Sequence, residues 1–280
     1  MKPFWTCPKC RALLTFSEKT AHCAAGHSYD LAKEGYINLL LSAGGIHGDS
    51  REMVEARRRF LESGAYEPLR RAVAELVCRY LPAGGICLDA GCGEGYYTED
   101  IAEALAGDGK DALLFAFDIS RDAARRTAKR RRDLSVAVAS AYAIPARDGS
   151  ADLLTDLFSP MATAEFARVL KPQGIFLLVI PEKEHLFGLK EALYDTPYKN
   201  EVAGTDLDGF TLLESREIRY PLTLDGKERI ADLFLMTPYA YRTSPKDKEK
   251  LAARDTLVTE VHFRILIYQK GDCQEGVGVI

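Results

Sequence analysis

One stretch decides what this chain can fold into: Leu88-Asp-Ala-Gly-Cys-Gly-Glu-Gly-Tyr-Tyr-Thr98. A short apolar run, Gly85-Ile86-Cys87, precedes it and reads as a buried strand, and a helical pattern from Thr98 to Leu105 follows. A strand that opens through Asp-x-Gly-x-Gly-x-Gly into a helix lets backbone approach a bulky polar ligand, because Gly91, Gly93 and Gly95 carry no Cβ. A dinucleotide loop would read G-x-G-x-x-G, with amides and a helix N-terminus set on a pyrophosphate. Here the third glycine comes one residue early, and Tyr96 stands where that pattern needs glycine. Asp89 precedes the loop, where it would repel a pyrophosphate and welcome an amino-acid ammonium. The next apolar run, Leu113-Leu-Phe-Ala-Phe-Asp118, ends in a carboxylate suited to the ribose hydroxyls of a nucleoside. A glycine loop alone is often only a tight turn; joined to this acidic strand end, it indicates a nucleoside cofactor.

The spacing of the loop resembles motif I of the S-adenosylmethionine-dependent class I methyltransferases. The remaining chain suits that fold. Strands are predicted at Leu113–Phe117, Val136–Ala139, Leu153–Phe158 and Ile175–Ile180, with a basic helix at Asp122–Arg132 and another ending at Lys171-Pro-Gln-Gly174. Such alternation implies a doubly wound, Rossmann-like α/β sheet. Phe210–Arg219 and Val258–Gln269 read as two further strands around a helix near Gly226–Leu235, and the class inserts its last strand antiparallel. By the same resemblance Ser140 and Ala141, after the third strand, fall where the class contacts adenine.

The N-terminus carries different chemistry. Cys7-Pro-Lys-Cys10 is followed, twelve residues later, by Cys23-Ala-Ala-Gly-His27. Pairs at C-x₂-C and C-x₃-H spacing each come from one tight turn and together complete a tetrahedral zinc site. Four protein ligands leave no open position, so the zinc is expected to be structural and to supply the folding free energy of a small N-terminal zinc-binding domain. A redox C-x-x-C would need a thioredoxin-like context, which is missing here. His22 adjoins Cys23 and is left out. Of seven cysteines, Cys78, Cys87, Cys92 and Cys273 are scattered and read as small buried hydrophobes. Phe4, Trp5, Tyr29 and Tyr36 are suited either to stack on unpaired bases or to pack the module's own core, and the second is expected for at least half of them.

Ser42-Ala-Gly-Gly-Ile-His-Gly-Asp-Ser50 reads as a linker, with Asp49 or Ser50 capping a helix from Arg51 to Ser63 that Gly64 stops. A second helix, Tyr66–Tyr80, follows. Arg57, Arg58 and Arg59, then Arg70 and Arg71, form two basic runs that are either solvated faces or phosphate contacts. The division is therefore residues 1–41, a zinc module for RNA recognition; 42–82, linker and basic helices; and 83–280, the methyltransferase domain. Net charge is −4, which excludes a global positive field, although the first 80 residues hold 12 Lys+Arg against 9 Asp+Glu. With 47% hydrophobic residues, no apolar run of membrane-span length and no signal-peptide pattern, the expectation is a cytoplasmic protein without a membrane partner.

Several motifs jointly resemble the bacterial 23S ribosomal RNA guanine-N1 methyltransferases. They are the Cys/Cys/Cys/His knuckle, Ala32-Lys-Glu-Gly-Tyr-Ile-Asn-Leu-Leu40, Gly48-Asp-Ser-Arg-Glu-Met-Val-Glu-Ala-Arg-Arg-Arg-Phe-Leu61 and the glycine loop. Glu184-His-Leu186 with Leu189-Lys190, and Met236-Thr-Pro-Tyr-Ala-Tyr-Arg242, extend the resemblance over nearly the whole chain. It implies S-adenosylmethionine as cofactor and cofactor contacts at Tyr66, Gly93, Glu94 and His185. It further implies an unpaired or extruded guanine in a hairpin region of 23S RNA as target, and allows a homodimer. Guanine N1 is protonated at neutral pH and lies in the Watson–Crick edge, so its proton must leave during or before attack. Asp156-Leu-Phe-Ser-Pro160 ends the fourth strand, where the fold presents substrate-facing residues. Asp156 is the candidate to orient the guanine or take the proton, with a strand-end cap as its structural alternative. Phe158 is the candidate to stack on the base. The segment departs from the family's Ala-Pro-Cys-like run, having Ser159-Pro160-Met161. Two rivals remain: a methyltransferase for a small molecule or protein, which gives the zinc module no task, and a non-catalytic RNA-binding scaffold, against which the complete glycine loop argues.

Overall fold

A computed structural model describes residues 3–41, 50–202 and 204–272; most of the linker and Cys273 lie outside the described residues. The N-terminal strands β1 (Thr15–Phe16), β2 (Thr20–His22) and β3 (Ser28–Asp30) form a small antiparallel sheet. β4 (Tyr36–Asn38) does not stay with them. It joins an eight-stranded sheet, parallel to a strand 100 residues onward in the register Tyr36↔Val136. Helices α1 (Arg51–Glu62) and α2 (Glu67–Tyr80) come next. The Ser50 hydroxyl caps α1 by accepting the Met53 N–H, and Gly64, at φ +81°, stops it.

The alternating part then runs β5 (Ile86–Ala90), α3 (Tyr96–Gly107), β6 (Leu113–Asp118), α4 (Arg121–Arg130), β7 (Ser135–Val138), β8 (Ala151–Leu157), α5 (Thr163–Val169) and β9 (Leu170–Pro181). α5 ends before Lys171, earlier than the Pro-Gly signal suggests, because Leu170 already pairs with Ala151 in the sheet. The chain continues through α6 (Phe187–Leu193), β10 (Phe210–Asp225), α7 (Lys227–Leu235), α8 (Tyr239–Arg242), α9 (Pro245–Ala252) and β11 (Thr256–Lys270).

The sheet order is β10-β11-β9-β8-β5-β6-β7-β4, with β4 to β9 parallel and β11 inserted antiparallel between β9 and β10. Chain order reverses between β5 and β8, and ligands of open α/β sheets bind at the carboxyl ends of strands at such a switch point. β5 ends there in the glycine loop.

Apolar residues fill both faces of the sheet. On one face α2, α3, α6 and α7 cover Cys87, Leu153 and Leu177. The other face holds Leu88, Phe115 and Leu154, and the zinc module docks on it. Trp5 is fully buried and donates its indole N–H to Ser135 Oγ at 3.0 Å, while Phe4 stacks on Phe115 at 4.2 Å. Thr6 N–H donates to the Pro145 carbonyl. Burial of such rings stabilises by roughly 1.5–3 kcal/mol each, so the module and the sheet share one core. Phe4, Trp5 and Tyr36 are thus buried, and only Tyr29 stays half-exposed.

Candidate functional site

The four metal-ligand candidates converge. Cys7, Cys10, Cys23 and His27 bring their Sγ and Nδ1/Nε2 atoms within 4.8 Å of one another, with Cys10 Sγ to Cys23 Sγ and Cys23 Sγ to His27 Nδ1 each at 3.5 Å. Three thiolates and one imidazole at such separations fit the edges of a zinc tetrahedron. The Tyr29 hydroxyl, 3.1 Å from Cys7 Sγ, is a second-layer donor to a thiolate.

At the switch point the loop's three glycines differ in purpose. A Cβ on Gly91 would lie 2.4 Å from Ser159 Cβ, and one on Gly95 would press on Thr127 at 3.0 Å. Around Gly93 there is nothing within 4 Å, so its side is the open approach. All three have positive φ. The Asp118 carboxylate accepts the Gly93 N–H at 2.9 Å and the Ser120 N–H at 2.7 Å, which ties the end of β6 to the loop.

Asp89 lies beneath the loop. It is 2% exposed, and its two oxygens accept Thr98 Oγ1 at 2.6 Å and Thr155 Oγ1 at 2.9 Å. Burial pushes its carboxyl above the usual range, and the two hydroxyls oppose that shift. Glu94 is buried too, paired with Arg130 at 2.5 Å through Oε2, while Oε1 has no partner. Burial raises its pKa against the pull of the guanidinium. Ser140 and Ala141 follow β7, half-buried, with Ser140 Oγ accepting the Tyr142 N–H.

Tyr66 and His185 come from distant parts of the chain and meet, with Tyr66 OH 3.5 Å from His185 Nε2. His185 Nδ1 accepts the His262 backbone N–H at 3.2 Å, which assigns the ring proton to Nε2. Burial and two basic neighbours, His262 and Lys190, push the imidazole down to about 3, so it is neutral. Phe263 packs against both rings, with centroids 4.1 Å from His185 and 5.1 Å from Tyr66.

Asp156 ends β8 in a turn held by its own carboxylate, since Oδ1 accepts Ser159 N–H at 2.9 Å and Ser159 Oγ–H at 2.7 Å. Oδ2 is buried without a partner, and burial raises the carboxyl to about 6. The turn forces Phe158 into φ +68°, a strained conformation for an aromatic residue, and leaves its ring 46% exposed and 5.0 Å from Phe263. Ser159, the same turn, is what Gly91 packs against.

Thr155 and Phe263, which hold Asp89 and His185 in place, carry no local signal in the sequence, because each is a lone polar or aromatic residue within a strand. The two basic runs carry ion pairs within the chain. Arg58 pairs with Glu55 and Glu62, Arg59 with Asp232, Arg71 with Glu67, and Arg70 lies among Glu67, Glu99 and Asp100. Among the described residues of the module, Lys9, Arg11, Lys19 and Lys33 are exposed cations. No helix among the described residues is long and apolar enough to cross a membrane.

Residues 5–41 match the zinc-ribbon family described as "RlmA, N-terminal", and residues 87–174 match the family described as "Methyltransferase domain". The chain is 31% identical over 263 residues to the 23S rRNA (guanine(748)-N(1))-methyltransferase of Streptomyces fradiae, covering 91% of each. It is 35% identical over 260 residues to YxjB of Bacillus subtilis, a candidate 23S rRNA (guanine-N(1)-)-methyltransferase, covering 88% of this chain and 89% of that one.

Proposed function

The chain belongs to the 23S ribosomal RNA guanine-N1 methyltransferases, and from that premise we propose that it moves the methyl group of S-adenosylmethionine to N1 of a guanine in 23S ribosomal RNA. The observation that carries the site is the contact of the Asp156–Ser159 turn with Gly91, which joins a substrate-side turn to the cofactor loop. The buried, unpartnered oxygens of Glu94 and Asp156 beside that loop suit a ligand with N–H and O–H donors.

In this reading Gly93 and Glu94 face the cofactor, Gly91 and Gly95 let the loop close on Ser159 and Thr127 so that its backbone lies against the ligand, and Asp89 holds the loop's floor. Asp118 accepts the ribose hydroxyls, Ser140 and Ala141 border the adenine, and Tyr66 and His185 close the opposite side. When bound, the cofactor supplies a methyl group already activated on a sulfonium. The protein's task is alignment. The guanine is unpaired or extruded, because N1 is otherwise inside a base pair. Phe158 offers its exposed face to the base. Asp156 Oδ2 accepts the N1 proton as N1 gains the methyl, and the pKa of about 6 leaves it ionised at neutral pH yet basic enough to take part.

The zinc holds the module's fold, and the module recognises RNA through Lys9, Arg11, Lys19 and Lys33 rather than through its buried rings. A target in a hairpin region, a homodimer and a cytoplasmic setting complete the proposal. The test offers methyl-labelled cofactor with large-subunit RNA, a metabolite extract and a protein extract in parallel. Label in the RNA, recovered as 1-methylguanosine, is expected. Label in another fraction, or none, overturns it.

A further inference from the structure

Lys190 is 1% exposed, yet among the described residues no carboxylate pairs with it. A buried ammonium without a counter-ion is costly, and burial lowers its pKa. Its surroundings say what it does instead. Nζ donates to Asn200 Oδ1 at 2.6 Å and lies over the rings of Tyr198, at 4.1 Å, and Tyr239, at 5.2 Å. The Tyr239 hydroxyl donates to the same Oδ1 at 3.1 Å. On its other side the amide Nδ2 of Asn200 donates to the carbonyls of Glu182, at 2.9 Å, and His185, at 3.0 Å. Asn200 thus has two donors on its oxygen and two acceptors on its nitrogen, so only one orientation of its amide is satisfied.

The segment it grips is the turn that carries His185. β11 holds that turn from the far side, where Glu182 N–H donates to the His262 carbonyl and Leu186 N–H to the Glu260 carbonyl. Leu186 sits at φ +56°, and a Cβ on Gly188 would lie 2.2 Å from the Val258 carbonyl oxygen, so the turn has no slack. Asn200 is the sole side chain among the described residues that donates to the carbonyls of this turn.

We propose that Lys190 and Asn200 form a clamp that positions His185, and through it Tyr66, for cofactor binding. The ammonium orients the Asn200 amide, and the amide fixes the His185 turn. Both are positioning residues, and the inference rests on the reading of His185 and Tyr66 as cofactor contacts.

Asn200→Asp is the direct test. The carboxylate is isosteric and keeps a partner in Lys190, but it loses both donations to the turn. Expected is at least a tenfold weaker cofactor affinity by calorimetry, with RNA affinity unchanged and kcat at saturating cofactor falling less than the rise in KM. Lys190→Met should weaken cofactor binding in the same direction, and the double variant should be no weaker than Asn200→Asp, since both act through one clamp. This second variant carries the test if the first does not fold. His185→Ala separates the premises. If it weakens cofactor binding while a folded Asn200→Asp or Lys190→Met does not, the clamp is wrong. If His185→Ala and Tyr66→Phe both leave cofactor affinity unchanged, the cofactor reading of this side of the site falls, and the clamp with it.

Discussion

At the scale of single residues, the carboxylates of the site sit in different environments. Asp156 is raised to about 6 by burial, so its folded-state pKa exceeds the ordinary value of 3.8. The folded state therefore holds the proton longer than the unfolded one, and stability falls as pH rises from about 4 through about 6. Asp156→Asn keeps the acceptor for Ser159 and removes that charge. It should stabilise the protein by up to about 3 kcal/mol at pH 8 and by nearly nothing at pH 4, measured by denaturant unfolding. In the same variant the rise in methylation rate through pH 6 should disappear and the rate should fall at least about tenfold. An unchanged pH profile would mean that Asp156 only caps its turn. Asp118 is different, because two backbone N–H groups already hold it at the loop. Asp118→Ala should weaken cofactor binding by about 1–3 kcal/mol, the loss expected for hydrogen bonds to a charged group. Unaltered affinity by calorimetry would remove Asp118 from the site.

At the scale of elements, the glycine loop, the acid ending β6 and the C-x₂-C…C-x₃-H spacing were legible because each is local: glycines, a strand end and tight turns announce themselves within a few residues. What was not legible is long-range. Tyr36-Ile-Asn38 reads as the tail of the module, and only its pairing with β7 makes it a strand of the large sheet. Trp5 reads as a base-stacking or a core ring, and its burial with the N–H on Ser135 Oγ makes it a core ring of the whole sheet rather than of the module alone. Likewise the partners of Arg58 and Arg59, which are Glu55, Glu62 and the distant Asp232, are not visible in a basic run that reads as a solvated face or a phosphate contact. The glycine-rich stretch after β4 suggests a module that can be cut away, but removing residues 1–41 would strip Phe4, Trp5, Ile37 and Leu39 from the shared core. Zinc and the sheet are therefore coupled. Chelation, or Cys10→Ser, should lower the melting temperature of the whole chain by on the order of 10 °C in a single transition. Two transitions, with the upper one unmoved by chelator, would show a module that folds independently of the sheet.

At the scale of the molecule, two kinds of binding are divided between two regions. In the proposed reading the cofactor binds at the reversal between β5 and β8, in the middle of the sheet, while Lys19 and Lys33 of the module lie on the β7 side, near Arg132, Asp133 and Leu134. Lys19→Glu with Lys33→Glu should weaken RNA binding and reduce its salt dependence, leaving cofactor affinity as it was. An unchanged salt slope would move the RNA contact elsewhere. Methyl transfer to N1 blocks the pairing edge of the base. The most direct measurement is reverse transcription across unmodified 23S RNA after incubation with S-adenosylmethionine and either the protein or its Asp118→Ala variant, with nucleosides identified by mass spectrometry. A single strong stop opposite a guanine, matched by 1-methylguanosine and much reduced with the variant, is the predicted result. Read-through along the entire RNA with no 1-methylguanosine, from protein that binds both cofactor and RNA, would contradict it.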